Sequence, residues 1–397
     1  MSALSNAAIE ALPAELAWKI GEELDLMSLR ALRLTSRWLN KQYTRPFAEH
    51  HLDSAKFEMS QAGMADLLAL SQNEELNLWV RHLRLIVPMY CELPTDGLVW
   101  HSNTRLKEWV RKRRSEQRAL TADSIGIDLS SVLEGLYGVE CIELDAIVRC
   151  RPGVTMSLHL LPDIDDQPIK HQSRKYYDGL MWAIAAARPR WLRSLAIYKD
   201  VPQCGIVTDG LIRFLSKMIA GGIDGHFEQV LRQVTEFSIS LSSPRKPLKD
   251  GQRRGPSGNV FFVPTWPRES PDTLLRLLRF MPRLRTIDLR LERTHTNTRN
   301  HEFLPALLSK LVAPDLARLS LVGFATMPRA IESIPDRFPK LHCLVLWCIS
   351  TATGNWREPV RRLTARAPAL AGRGFNWTVE RDMCVLYSKT PDEEWDE

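Results

Sequence analysis

The side chains that could do chemistry are scattered along this chain. His342, Cys343 and Cys348 fall on or beside a stretch of strand periodicity. A zinc site built there needs two more ligands, which the sequence does not offer. His50 and His51 are adjacent but have no partner at metal spacing. Asp163, Asp165 and Asp166 form a carboxylate cluster on a proline-flanked stretch, where solvated charges are the simpler reading. The seven cysteines (91, 141, 150, 204, 343, 348 and 384) are odd in number, and no pair is spaced CxxC. A disulfide framework is not expected, and reduced, mostly buried thiols are. No GxxxxGK[ST] phosphate loop, GxGxxG, HExxH or Gly-x-Ser-x-Gly elbow occurs. These residues predict neither a catalytic centre nor a metal or cofactor site.

The elements that could carry a binding function stand out more clearly. The chain has 397 residues, 44% apolar and 25% charged, as an ordinary globular protein has. Two or three domains, or one elongated array, are expected at that length. No apolar run approaches the ~20 residues of a membrane span; LMWAIAAA at 180–187 comes nearest. The start, MSALSNAAIEALPAEL, lacks the basic and apolar regions of a signal peptide, so a cytoplasmic and/or nuclear location is expected. The net charge of +6 comes from clusters, one at Arg111, Lys112, Arg113 and Arg114, another at Arg245, Lys246, Lys249, Arg253 and Arg254. The first reads as a solvated helix face and the second as a loop, with nucleic acid or nuclear import as the alternative. Twelve tryptophans are present; Trp100 and Trp109 flank the first cluster, and Trp347 and Trp377 lie further on. Core and binding roles are both open for them.

Residues 12–39 read LPAELAWKIGEELDLMSLRALRLTSRWL. Pro13 suits a first helical turn, and Glu15 sits where the helix dipole favours negative charge. Leu16, Ile20 and Leu24 recur every four residues as one stripe. Asp25 is expected to end this helix and Ser28 to cap the next, with Leu29, Leu32 and Leu34 on its buried side. Thr35 and Ser36 offer a further cap, and Pro46 is expected to close the unit. A hairpin this small cannot stand alone. Its apolar face needs a cover, from the rest of the chain or from another protein.

This segment resembles the F-box, the motif that docks substrate receptors onto the Skp-type adaptor of cullin ubiquitin ligases. Leu12, Pro13, Glu15, Ile20, Leu24 and Leu29 stand at the positions of the family's Leu-Pro-x-Glu, Ile, Leu and Leu pattern. Thr35 and Ser36 replace the family's Val-Cys pair and Leu39 its Trp, as in the LRLTSRxLN ending of filamentous-fungal members. Residues 51–87 look like the segment that follows the motif in such proteins. There, Phe57 and Met59 would lie on a strand, Met64, Leu67 and Leu68 on a helix, and Val80, Leu83 and Leu85 on the next strand. The resemblance implies an adaptor-binding set of Leu12, Pro13, Glu15, Leu16, Ile20, Leu24, Leu29, Leu32, Ser36 and Leu39.

From residue 51 to about 350, amphipathic helical runs alternate with strand-like runs. The clearest copies are at 271–291, 304–324, 330–350 and 178–198, with Pro282, Pro314, Pro339 and Pro189 at the joints. Such units look like leucine-rich repeats. The predicted fold class is α+β or α/β: an N-terminal three-helix F-box over 1–50, then an irregular leucine-rich-repeat-like helix–strand solenoid over 51–378. Insertions are expected near 88–124, 149–177 and 242–272, and a strand with an acidic tail at 379–397. An α/β domain with a parallel sheet that does not repeat regularly is the alternative. The stretch 242–272 reads as a loop, with VFFVPTW tucked against the array or on a binding surface. The resemblance implies a non-catalytic substrate receptor whose partners are the Skp-type adaptor, cullin through it, and an unidentified protein substrate. A scaffold acting outside a ligase is the alternative; membranes are not expected as partners and nucleic acid is disfavoured.

Overall fold

Short apolar stripes separated by side-chain caps break the first forty described residues into three helices: α1 (Ala14–Glu22), α2 (Leu26–Thr35) and α3 (Arg37–His51). The computed structural model describes residues 12–90, 104–151, 154–156, 167–199, 201, 204–207, 211, 222, 224–242, 249–254, 260–265, 271–292, 302–347, 349–351, 361–363 and 383–387. After the helices, strands and helices alternate. They run β1 (Ser54–Glu58), α4 (Gln61–Ser71), β2 (His82–Tyr90), α5 (Thr104–Ala119), α6 (Ala122–Gly135), β3 (Cys141–Arg151) and β4 (Val154–Met156). There follow α7 (Gln167–Ala187), β5 (Ser194–Ile197), β6 (Ile206–Val207), α8 (Asp224–Leu231) and β7 (Glu236–Ser242). Next come β8 (Lys249–Arg254), β9 (Val260–Thr265), α9 (Asp272–Arg279), β10 (Thr286–Glu292), α10 (Phe303–Lys310) and β11 (Arg318–Val322). The last are β12 (Ala325–Thr326), α11 (Pro328–Glu332), α12 (Ile334–Arg337), β13 (Cys343–Trp347), β14 (Ser350–Thr351) and β15 (Met383–Tyr387).

Strands β1, β2, β3, β5, β7, β10, β11 and β13 lie side by side in chain order, every pair parallel. β6 adds to β7 in parallel, whereas β4 on β3 and β15 on β13 are antiparallel. The chain is therefore an α/β protein with N-terminal helices and a parallel sheet alternating with helices. No described helix is long and apolar enough to cross a membrane.

The register explains why these strands stack. Each of seven strands carries apolar residues in the pattern L-x-x-L-x-L, beginning just before the strand. The triads are Val80-Leu83-Leu85, Val139-Ile142-Leu144, Leu192-Leu195-Ile197, Val234-Phe237-Ile239, Leu284-Ile287-Leu289, Leu316-Leu319-Leu321 and Leu341-Leu344-Leu346, and all are buried. The last two of each triad share a sheet face, because alternate strand residues point the same way. The first donates its side chain to the same core from the turn that precedes the strand. Helices cover that face with Leu129 and Val132 of α6, Leu180 and Ile184 of α7, Leu274 and Leu278 of α9, and Leu304 and Leu308 of α10. Corresponding residues are 59 positions apart at Leu83 and Ile142 but 25 apart at Leu319 and Leu344. The register therefore survives large changes in what is inserted between strands.

Those insertions hold more structure than the sequence suggests. Residues 242–272 contain an antiparallel ribbon of β8 and β9, so VFFVPTW is not a plain loop: its first six residues are β9. Arg245 and Lys246 lie outside the described residues, and Lys249, Arg253 and Arg254 sit on β8. The stretch 149–177 gives its first residues to β3 and β4 and its last to α7, a helix of 21 residues. The stretch 88–124 gives its first residues to β2, and α5 follows within it.

Polar side chains tie the first strands together along their length and at their carboxyl ends. Arg149 on β3 pairs with Glu58 on β1 at 2.7 Å, and Arg84 on β2 holds Asp145 on β3. Helix α5 crosses these ends: Arg114 donates to the Tyr90 carbonyl at 2.8 Å and Gln117 to that of Pro88 at 2.6 Å. Below it, the Tyr176 hydroxyl donates to the Met59 carbonyl at 3.3 Å and that of Tyr198 to the Ser173 carbonyl at 3.0 Å. Burial pushes the phenols of Tyr90 and Tyr176 up to about 12, with the Glu58 carboxylate adding to the rise, and those of Tyr177 and Tyr198 rise further. Above pH 10 the unfolded chain releases these protons while the folded one keeps them. Their contribution to stability is thus complete below pH 10 and, for Tyr90 and Tyr176, is lost as pH climbs through about 12. An alkaline titration should show the tyrosinate absorbance of this group rising together with loss of far-ultraviolet ellipticity. Ionisation of all the tyrosines near pH 10 with ellipticity intact is the contrary result.

Candidate functional site

The N-terminal helices owe their shape to two caps and a close approach. Asp25 caps α2 by accepting from the Ser28 N–H at 2.7 Å. The expected roles are thus exchanged, with Asp25 the acceptor and Ser28 the donor, because Asp25 has the extended backbone a cap requires. That N–H holds the Asp25 carboxyl below the usual carboxylate range, so the cap persists through that range and is lost only as pH falls below it. Ser36 ends α2 and caps α3 by accepting from the Leu39 N–H at 3.2 Å. The joint is a single extended residue, and it fixes the angle between the helices. Replacing Ser36 by Ala should cost about 1 kcal/mol of stability, read by thermal unfolding, with Ser36→Asp restoring most of it. No loss would deny the cap its role.

Pro46 does not close the unit. It lies inside α3, which runs on to His51. Its ring is buried against α1, where a Cβ built on Gly21 would come 3.1 Å from the Pro46 Cβ and 3.0 Å from Tyr43. An interior proline gives up the hydrogen bond to the carbonyl four residues back, here that of Gln42, and burial of the ring at the α1 contact offsets the loss. Arg45, just before it, remains helical, pairs with Glu49 at 2.8 Å and lies 4.6 Å above the Trp18 ring.

Ala17, Leu29, Leu39, Tyr43 and Phe47 form the bundle's own core, with Leu24, Leu26, Leu32, Trp38 and Leu52 packed on it. Leu52 also touches the main core and so ties the bundle to the sheet. Arg33 seals one side: its guanidinium lies 4.1 Å over Phe47 and donates to Asn40 at 3.1 Å.

The ten residues of the expected adaptor-binding set separate into layers. Leu29 and Leu39 are buried inside the bundle; Leu12, Leu24, Leu32 and Ser36 are half-buried; Pro13, Glu15, Leu16 and Ile20 are exposed. Leu16 is 49% exposed and Ile20 39%, so the face of α1 that carries them is not covered by the chain. Leu34, expected on the buried side of α2, is instead 87% exposed, and Met27 is 71% exposed. At 100° per residue, Leu34 stands well off the stripe set by Leu29 and Leu32, a signal legible in the sequence. Met27, Ala31 and Leu34 recur at i, i+4 and i+7 and make a second open apolar stripe.

The other chemically capable residues stay apart. His342 is exposed beside Cys343 on β13, and Cys348 lies outside the described residues. His50 and His51 face one another at 6.3 Å between ring centroids at the end of α3. Asp163, Asp165, Asp166, Trp100 and Trp377 lie outside the described residues. Among the described residues, no three His, Cys, Asp or Glu side chains gather as a metal site requires. Trp109 meets Tyr90 edge-on at 5.6 Å, and Trp347 lies 5.8 Å from the Arg290 guanidinium. No protein-family model and no curated protein matches the chain.

Proposed function

We propose that this chain is a substrate-recognition subunit of a Skp–cullin–F-box ubiquitin ligase, with residues 12–51 docking on the Skp-type adaptor. The observation that carries the reading is the exposure of Leu16 and Ile20 over a bundle core that is already complete without them. Large apolar side chains in register on an open helix face mark an interaction surface. The resemblance of the Leu12-Pro13-x-Glu15 start to the F-box names the partner. Met27 and Leu34 extend the docking surface beyond the positions the family pattern supplies.

The strands fit a leucine-rich-repeat-like array. Their L-x-x-L-x-L triads are those of such repeats, and strand order follows chain order. Every spacing between triads except the last, from Leu319 to Leu344, is wider than the ~20–29 residues of regular repeats, which makes the array a degenerate one carrying insertions. It would hold a protein substrate while the docked bundle brings that substrate to a ubiquitin-conjugating enzyme. The chain's contribution is effective concentration, with no catalytic group of its own.

The test is reconstitution. The intact chain should form a stable complex with purified Skp-type adaptor, and with cullin added a partner captured by the array should receive ubiquitin. Adaptor capture without transfer points to a scaffold outside a ligase. Absence of capture removes the proposal.

A further inference from the structure

We propose that the outer face of α5 docks an acidic segment of a partner protein. The helix carries seven cations (Arg105, Lys107, Arg111, Lys112, Arg113, Arg114 and Arg118) against Glu108 and Glu116. It thus supplies most of the net +6 of the whole chain. It stands outside the strand–helix alternation, since α6 already covers the sheet between β2 and β3. Its hold on the fold comes from Val110, Gln117, Trp109 and Arg114, all turned toward the strand ends. Arg113 is paired with Glu116 at 2.8 Å.

Arg105, Arg111, Lys112 and Arg118 are exposed on the opposite side and make no ion pair among the described residues. They fall into two pairs seven residues apart, each pair about 10.5 Å apart along the axis. The placement works against the helix itself. Arg105 and Lys107 stand in the first turn, where the helix dipole disfavours cations and where α5 has no acidic residue. Lys107 and Arg111, and Arg114 and Arg118, are like charges at i, i+4. Glu108 and Glu116, each four residues from Lys112, offset this only in part, since the helix keeps seven cations against two carboxylates, and an anionic partner on the outer face supplies the missing counter-charge.

A polypeptide fits the face better than a nucleic acid does. Glu108 lies among the exposed cations, three residues from both Arg105 and Arg111, where a continuous phosphate chain would be repelled. The aromatic that could stack a base, Trp109, is turned inward against Tyr90. The carboxylates of a peptide can be spaced to pass Glu108 and to meet the arginine forks. The inference concerns substrates and other partners alike and does not rest on adaptor docking.

Fluorescence anisotropy on the full chain tests it, with a labelled peptide of alternating Glu and Ser and with single-stranded and duplex oligonucleotides of equal charge. The peptide should bind most tightly and weaken as salt rises. R111E/K112E/R118E should lower its affinity at least about tenfold. The neutral R111Q/K112Q/R118Q should also weaken binding while keeping good helix formers. K249E/R253E/R254E, in the β8 cluster, should leave affinity unchanged. Wild-type affinity in both α5 variants, or loss through the β8 cluster instead, overturns the proposal. Tighter binding of either oligonucleotide also overturns it and assigns the face to nucleic acid.

Discussion

Leu16→Asp should reduce capture of a Skp-type adaptor by at least about a hundredfold while leaving the chain folded. Leu16 sits in the first turn of α1 and is 49% exposed, so the bundle core of Ala17, Leu29, Leu39, Tyr43 and Phe47 does not depend on it. An aspartate near the start of a helix is favourable to the helix dipole. The free chain should therefore unfold within a few tenths of a kcal/mol of wild type. In a complex the same carboxylate is buried against apolar surface with no partner, which costs about 3 kcal/mol or more. Leu34→Asp on α2, at a position 87% exposed, should weaken capture as well and extends the test to the second stripe. The pair is measured by co-elution of purified components together with thermal unfolding of each variant alone. Capture at wild-type strength by Leu16→Asp means that this face is not the docking surface.

Gly323→Ala should destabilise the fold by about 3 kcal/mol or more, because the added methyl group meets both a left-handed backbone and a neighbouring strand. Gly323 follows β11 with φ +80°, and a Cβ there would lie 2.1 Å from the Leu291 carbonyl oxygen on β10. Its own N–H donates to the Trp347 carbonyl at 2.9 Å, so the residue is held between two neighbouring strands and cannot step aside. Gly222 provides the control, having φ +68° but no atom within 4 Å of a built Cβ. Gly222→Ala should cost about 1–2 kcal/mol, the left-handed backbone penalty alone. Chemical denaturation of the two variants separates strain from clash. Equal losses would mean that the strands yield at Gly323.

Much of the array was legible because each strand carries its own apolar register. Leu284, Ile287 and Leu289 announce β10, and Leu274 and Leu278 announce α9, since burial on one face imposes periods of 2 and 3.6 on the sequence. The prolines Pro282, Pro314 and Pro339 mark the joints for a local reason. The β8–β9 ribbon was not legible: Lys249–Arg254 reads KDGQRR, with no apolar alternation to signal a strand. The exchange of cap roles between Asp25 and Ser28 turns on one backbone angle. Pro46 inside α3 depends on Gly21 of another helix, a tertiary contact that overrides a local rule. In the N-terminal bundle, helical spacing put Leu16, Ile20 and Leu24 on one stripe, and the resemblance matched Ile20, Leu24 and Leu29 to the family pattern. Neither told which of them face out, because Leu29 and Leu39 are needed to hold together the very bundle that presents the others.

Hydrogen exchange of the intact chain, with and without purified Skp-type adaptor, tests the central claim most directly. Docking through the N-terminal helices predicts slowed exchange in α1 and α2, with the strands of the array unchanged. Unaltered exchange in α1 and α2 at saturating adaptor, or protection confined to the array, would contradict it.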